Sequence, residues 1–169
     1  MSKTTVPAGG LSSDSVTTAK IADDAVTAAK TGFSLGKIGQ VVQASANNGN
    51  STTSTSFVAS TCTVDITPTA SSSKILITAS ISFSNTHNDK AFFSLYRGST
   101  NLGNSGDGFR EHKTAGGASH DSVTITYLDS PSSTSATTYK VYYRVTSGGT
   151  VAFNPDSTNW TIIAQEVLA

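Results

Sequence analysis

From Lys74 to Ser84 the chain alternates, with Ile75, Ile77, Ala79, Ile81 and Phe83 on one parity and Thr78, Ser80, Ser82 and Ser84 on the other. Successive side chains of a strand point to opposite faces, so this pattern predicts a strand with one face buried and one wet. The same test picks out Val123, Ile125 and Tyr127, and then Tyr139, Val141, Tyr143 and Val145, with Gly148-Gly149 expected to turn the latter strand back into Val151-Ala-Phe153. Beyond residue 37 no window carries a helical period. The reading is about eight strands, near 38–46, 57–66, 74–84, 91–97, 119–128, 138–147, 150–154 and 160–168. Short strands at regular spacing with turn residues between them predict an all-β fold, an antiparallel β-sandwich of jelly-roll-like form.

Two of these strands are apolar on both faces, Ala91-Phe-Phe-Ser-Leu-Tyr96 and Trp160-Thr-Ile-Ile-Ala-Gln-Glu-Val-Leu168. A lone protomer would leave one such face in water, which predicts a subunit interface through Phe92, Tyr96, Trp160 and Ile163, the alternative being a closed barrel with a fully buried strand. Cys62 shares its parity with Val58, Val64 and Ile66, so its thiol is expected in the core as a small hydrophobe. One cysteine allows no disulfide within the chain and builds no zinc site alone.

Charge narrows the partners. The 11 Lys and Arg are scattered among 11 Asp and Glu, only 13% of the chain is charged, and no basic stripe exists to track phosphates, so no nucleic acid is expected. No apolar run reaches the length of a membrane span, and Met1-Ser-Lys-Thr-Thr-Val-Pro7 lacks the apolar stretch of a signal peptide, so neither membrane insertion nor secretion is expected.

Residues 1–33 read differently from 34–169. Leu11-Ser-Ser-Asp-Ser-Val-Thr-Thr-Ala-Lys20 is followed directly by its near copy, Ile21-Ala-Asp-Asp-Ala-Val-Thr-Ala-Ala-Lys30, which places Leu11, Val16, Ile21 and Val26 every fifth residue. That spacing suits neither a helix nor a strand, and each unit has too little apolar surface to bury itself. Such a non-globular repeat is expected to order only against other chains.

Runs of the form I-A-D-x-A-V-T-x-A-K resemble repeats in tail-fibre and other appendage proteins of tailed bacteriophages. The body adds Gly39-Gln-Val-Val-Gln43, Val64-Asp-Ile-Thr-Pro68, Ser73-Lys-Ile-Leu-Ile77, Phe93-Ser-Leu-Tyr-Arg-Gly-Ser-Thr100, Leu128-Asp-Ser-Pro131 and Thr134-Ser-Ala-Thr-Thr-Tyr-Lys140. In that order these phrases resemble a domain of fibre proteins from marine phages, cyanophages especially. The resemblance implies a virion structural protein, a trimeric short fibre or spike assembled in the host cytoplasm. Its N-terminus would dock on tail, portal, adaptor or capsid proteins, with Leu11, Val16, Ile21 and Val26 as docking residues. It brings no catalytic residue with it.

Signals for chemistry are weak. His87, His112 and His120 read as loop histidines without a His-x-His pair, so no metal or other cofactor is expected. Gly103-Asn-Ser-Gly-Asp-Gly108 lacks the Lys and Ser/Thr of a phosphate-binding loop and reads as a turn. There is no Gly-x-Ser-x-Gly elbow, and nothing sets a separation between Asp107, Glu111, Asp121 and Asp129 of the kind a glycosidase needs, so an enzyme is not expected. The longest irregular stretch, 101–120, puts Phe109 and Arg110 beside His112 and Lys113, an aromatic and cationic group suited to a host cell-surface glycan or protein. The alternatives are a head fibre or capsid decoration without a receptor role and a free carbohydrate-binding module.

Overall fold

A computed structural model describes residues 37–86, 89–114 and 116–168. Leu11, Val16, Ile21, Val26 and His87 lie outside the described residues. The described residues form eleven strands: β1 (Lys37–Ala46), β2 (Asn50–Thr52), β3 (Val58–Ile66), β4 (Lys74–Asn85), β5 (Lys90–Arg97), β6 (Thr100–Asn101), β7 (Arg110–Lys113), β8 (Ser119–Asp129), β9 (Thr137–Val145), β10 (Val151–Phe153) and β11 (Trp160–Leu168). The eight expected strands are present within a few residues of their expected ends. β2, β6 and β7 are too short for alternation to betray them.

Every strand pairing is antiparallel, and the strands fall into two sheets. In the first, β1 pairs β11, β11 pairs β4 and β4 pairs β8, while β10 lies beside the far end of β4 and carries β2. In the second, β3 pairs β9 and β9 pairs β5, with β6 and β7 sharing the other flank of β5. The pairing is nested, since β1 meets β11, β3 meets β9, β4 meets β8 and β5 meets β7. The long strands thus behave as one hairpin, folded double, whose tip lies between β5 and β7.

The inward faces of both sheets meet in one core. Ile75, Ile77, Ala79, Ile81 and Phe83 of β4 are each at most 3% exposed, as their parity requires. Facing them are Cys62, Val64 and Ile66 of β3, Phe93 and Leu95 of β5, and Tyr139, Val141, Tyr143 and Val145 of β9. Phe83 and Phe93 touch across the sheets with ring centres 4.6 Å apart, and Tyr143 meets Phe153 at 5.8 Å. Burying each large apolar side chain contributes about 1.5–3 kcal/mol, so this interior dominates the stability of the body. Desolvation there pushes the Cys62 thiol up to about 12.

Two acids interrupt the apolar interior near one end of the sheets. Asp129, at the end of β8, accepts two hydrogen bonds from Arg97 Nη1 (2.9 and 2.8 Å) and one from the Tyr139 hydroxyl (2.6 Å), tying the first sheet to β5 and β9 of the second. Glu166, on the inward parity of β11, is fully buried. It accepts hydrogen bonds from Gln40 Nε2 (2.8 Å) and from the backbone N–H and hydroxyl of Thr69 (2.7 and 2.8 Å). Burial alone would raise its pKa, but these donors favour the charged form and hold it down at about 2.

One expected hairpin is corrected. Gly148-Gly149 does not fold β9 back onto β10; β10 crosses to the other sheet and pairs β4 and β2. The Asp89 carboxylate accepts the N–H groups of Ser147 (2.8 Å) and Gly149 (3.3 Å) and anchors the crossing, and Val151 and Phe153 are then drawn into the core. Two of the histidines are corrected as well, since His112 lies within β7 and His120 within β8 rather than in loops.

Candidate functional site: the outer faces of the two sheets

Alternation that turns Phe93 and Leu95 inward turns Phe92, Ser94 and Tyr96 outward, and likewise turns Lys140, Tyr142 and Arg144 of β9 outward. The register sets Phe92 opposite Arg144, Ser94 opposite Tyr142 and Tyr96 opposite Lys140. The Tyr96 and Tyr142 rings stack with centres 3.8 Å apart and planes 19° from parallel. Arg144 lies over Phe92 at 4.1 Å and over Phe57 at 5.5 Å, the cation–π geometry expected of a guanidinium that is not fully hydrated. Burial first, and then the neighbouring Tyr142, raise the Tyr96 phenol above its ordinary value, so it is a neutral hydroxyl at pH 7.

The segment between β6 and β7 folds back over this face. Asn101 and Ser94 are joined at 2.5 Å, and the backbone N–H of Phe109 donates to Phe93 O at 2.8 Å. Gly108 permits so close an approach: its φ is +64°, and a Cβ there would stand 2.5 Å from Phe93 O. Arg144 Nε donates to Gly106 O at 2.9 Å, with Asp107 3.7 Å from the guanidinium. An open groove of about 540 Å³ remains, with Tyr96 and Arg144 on the sheet, Thr55, Ser56 and Phe57 on one side, and Ser105 and Gly106 on the other.

The first sheet has a different outer face. Val41, Leu76 and Leu128 share one row across β1, β4 and β8, and Ile163 stands in the next row between Gln43 and Thr78. Val41 is 55% exposed and Leu128 46%. β8 pairs with β4 alone among the described strands. The Thr124 carbonyl points away from β4, where Arg110 Nε reaches it at 3.4 Å. By the period of two, the backbone groups of Ser122, Thr126 and Leu128 point off that same edge. A long open edge beside exposed apolar side chains is a template for pairing with another chain.

The residues singled out from sequence fare unevenly. Phe109 packs half-buried against Tyr127 at 5.1 Å, and His112 sets its ring edge-on to Phe83 at 4.9 Å with Nε2 3.2 Å from Asp121. Arg110 and Lys113 are exposed, so the four do not form one displayed patch. Trp160 is corrected from an interface residue to a core residue. It is 4% exposed and donates its indole N–H to Asn48 at 3.1 and 3.0 Å, because it shares parity with the inward Ile162 and Ala164. Phe92 is 2% exposed beneath Arg144 and is likewise unavailable to a partner. Ile163 lies on the outer face of the first sheet and Tyr96 in the groove of the second. The groove itself went unnoticed in the sequence, though Phe92, Tyr96, Tyr142 and Arg144 at outward parity on two strands were the signal for it.

The weighed carboxylates all have local roles or lie in solvent. Asp129 is held by Arg97 and Tyr139, Glu111 pairs with Lys90 at 2.7 Å, Asp121 with His112, and Asp107 is 70% exposed beside Arg144. Among the described residues, no three His, Cys, Asp or Glu side chains gather as a metal site would require. No helix of the described residues is long and apolar enough to cross a membrane. No protein-family model matches the chain, and no curated protein is significantly similar to it.

Proposed function

We propose that this chain is a structural protein of a bacteriophage virion, a homotrimeric short fibre or spike. Residues 1–33 attach it to tail, portal or capsid proteins, and the body, a jelly-roll-like β-sandwich, faces the host. Nested pairing of eight strands about one tip supports the jelly-roll description, since doubling a long antiparallel hairpin is how that architecture arises. The observation that carries the assembly reading is the outer face of the first sheet. Exposed Val41 and Leu128, at the two ends of one row across this face, together with the unpaired edge of β8 make a surface that association would cover. The decapeptide repeat supports attachment, being too poor in apolar surface to stand alone.

Sedimentation of the purified protein tests the assembly. A trimer is expected at micromolar concentration, and Val41→Lys with Leu128→Lys should release folded monomers. A wild-type protein that sediments as a stable monomer refutes the trimer. Deleting residues 1–33 should leave the body folded and absent from particles, and incorporation of the truncated chain would remove the docking role.

A further inference from the structure

We infer that the groove between Tyr96, Phe57 and the 105–106 turn is a binding site for a neutral oligosaccharide. The inference deepens the host-facing role proposed above by naming a site and a ligand class, and it moves the contact away from Phe109 and Arg110.

Three observations lead there. The groove has the volume of a small-ligand site, where about 300–1,000 Å³ is usual, and it is open along its length, as a chain of sugar rings requires. Its floor offers an aromatic surface: Tyr96 is backed by Tyr142 at 3.8 Å and flanked by Phe57 with ring centres 6.1 Å apart, so the ring is braced before any ligand arrives. The C–H faces of a pyranose pack on such rings while its hydroxyls need donors and acceptors at the rim. Those are present, because the side-chain hydroxyls of Thr55, Ser56 and Ser105 make no hydrogen bond to another group among the described residues.

Charge decides the class. Among the described residues Arg144 is the one charged side chain lining the groove, and most of its cation is engaged by the wall. Nε donates to Gly106 O, Nη1 donates to Val145 O at 3.2 Å, Asp107 stands 3.7 Å away, and the Phe92 and Phe57 rings cover it. With three of its five N–H groups held by backbone carbonyls and only 15% of its side chain exposed, Arg144 braces the wall and presents little of its charge to a carboxylate, sulfate or phosphate. The site is also preorganised, with Gly108, Asn101 and the Arg144 hydrogen bonds holding the turn in place, which lowers the ordering cost of binding.

The full-length protein, applied to an array of neutral, sialylated and uronate-bearing oligosaccharides, should bind neutral ones. Titration calorimetry with the strongest neutral binder should then show Tyr96→Ala weakening Kd at least tenfold. Ser105→Trp, which fills the groove from an exposed turn and leaves the core untouched, should abolish binding with an unchanged melting temperature. Arg110→Ala should bind as the parent does. Binding only to anionic glycans, binding to none, or full binding by Ser105→Trp overturns the inference, as does an equal loss in Arg110→Ala. These readouts need no particle, so a groove that binds sugar in a chain never found on virions refutes the virion reading alone, while a particle-borne chain whose groove binds nothing refutes the groove alone.

Discussion

Asp129→Ala tests whether the two sheets are bolted together where β8 ends. The carboxylate is 5% exposed and accepts three hydrogen bonds, two from Arg97 Nη1 and one from Tyr139, residues that sit opposite each other on β5 and β9. Removing it leaves the Tyr139 hydroxyl, on a side chain that is 0% exposed, without an acceptor, which costs about 1–3 kcal/mol. Arg97, with 30% of its side chain exposed, recovers part of its hydration, so its loss falls at the low end of the ~1.5–3 kcal/mol of a charged hydrogen bond. Together these give about 3–4 kcal/mol, in line with breaking other buried pairs and large against a total of roughly 5–15 kcal/mol. At about 4 °C per kcal/mol the melting temperature should fall by roughly 12–16 °C, measured at fixed protein concentration because assembly would otherwise move it. A cycle with Tyr139→Phe separates the clasp from simple truncation: with the phenol gone, Asp129→Ala should cost about 1–2 kcal/mol less. A melting point within about 3 °C of wild type, or a cycle additive to about 0.4 kcal/mol, would refute the argument.

Glu166 predicts acid sensitivity of a particular sign. Its folded pKa of about 2 lies below the ~4.3 of an unfolded glutamate, so its contribution is complete above about pH 5 and drains away as pH falls toward 2; Glu166→Gln should melt lower at pH 7 and lose less between pH 5 and pH 2, and parallel profiles would contradict this. The Cys62 thiol, fully buried and pushed up to about 12, should resist a disulfide reagent until denaturant is added, and stoichiometric labelling of the native protein within minutes would show the core to be open. Gly108→Ala adds a Cβ 2.5 Å from Phe93 O at a φ of +64°, so it should lower stability by about 1–3 kcal/mol and raise protease cleavage in the 101–109 segment; an unchanged digest would mean the turn closes without it.

Alternation alone determined a great deal here. The parity of Ile75, Ile77, Ala79, Ile81 and Phe83, and that of Tyr139, Val141, Tyr143 and Val145, gave both the strands and the faces they bury, because the two-residue period of an extended chain is a local property. Local periods say nothing of partners. That β10 leaves β9 for the other sheet, that Phe92 is covered by Arg144, and that Phe109 packs against Tyr127 all depend on residues far apart in sequence. Trp160 and Ile163 show the division within one strand. Their opposite parities were legible in the sequence, whereas which parity faces the core was decided only when β11 took its place between β1 and β4. The groove exists for the same reason: Phe57, Tyr96, Ser105 and Arg144 come from four separate segments, and only non-local strand pairing and the fold-back of the 101–109 segment bring them together.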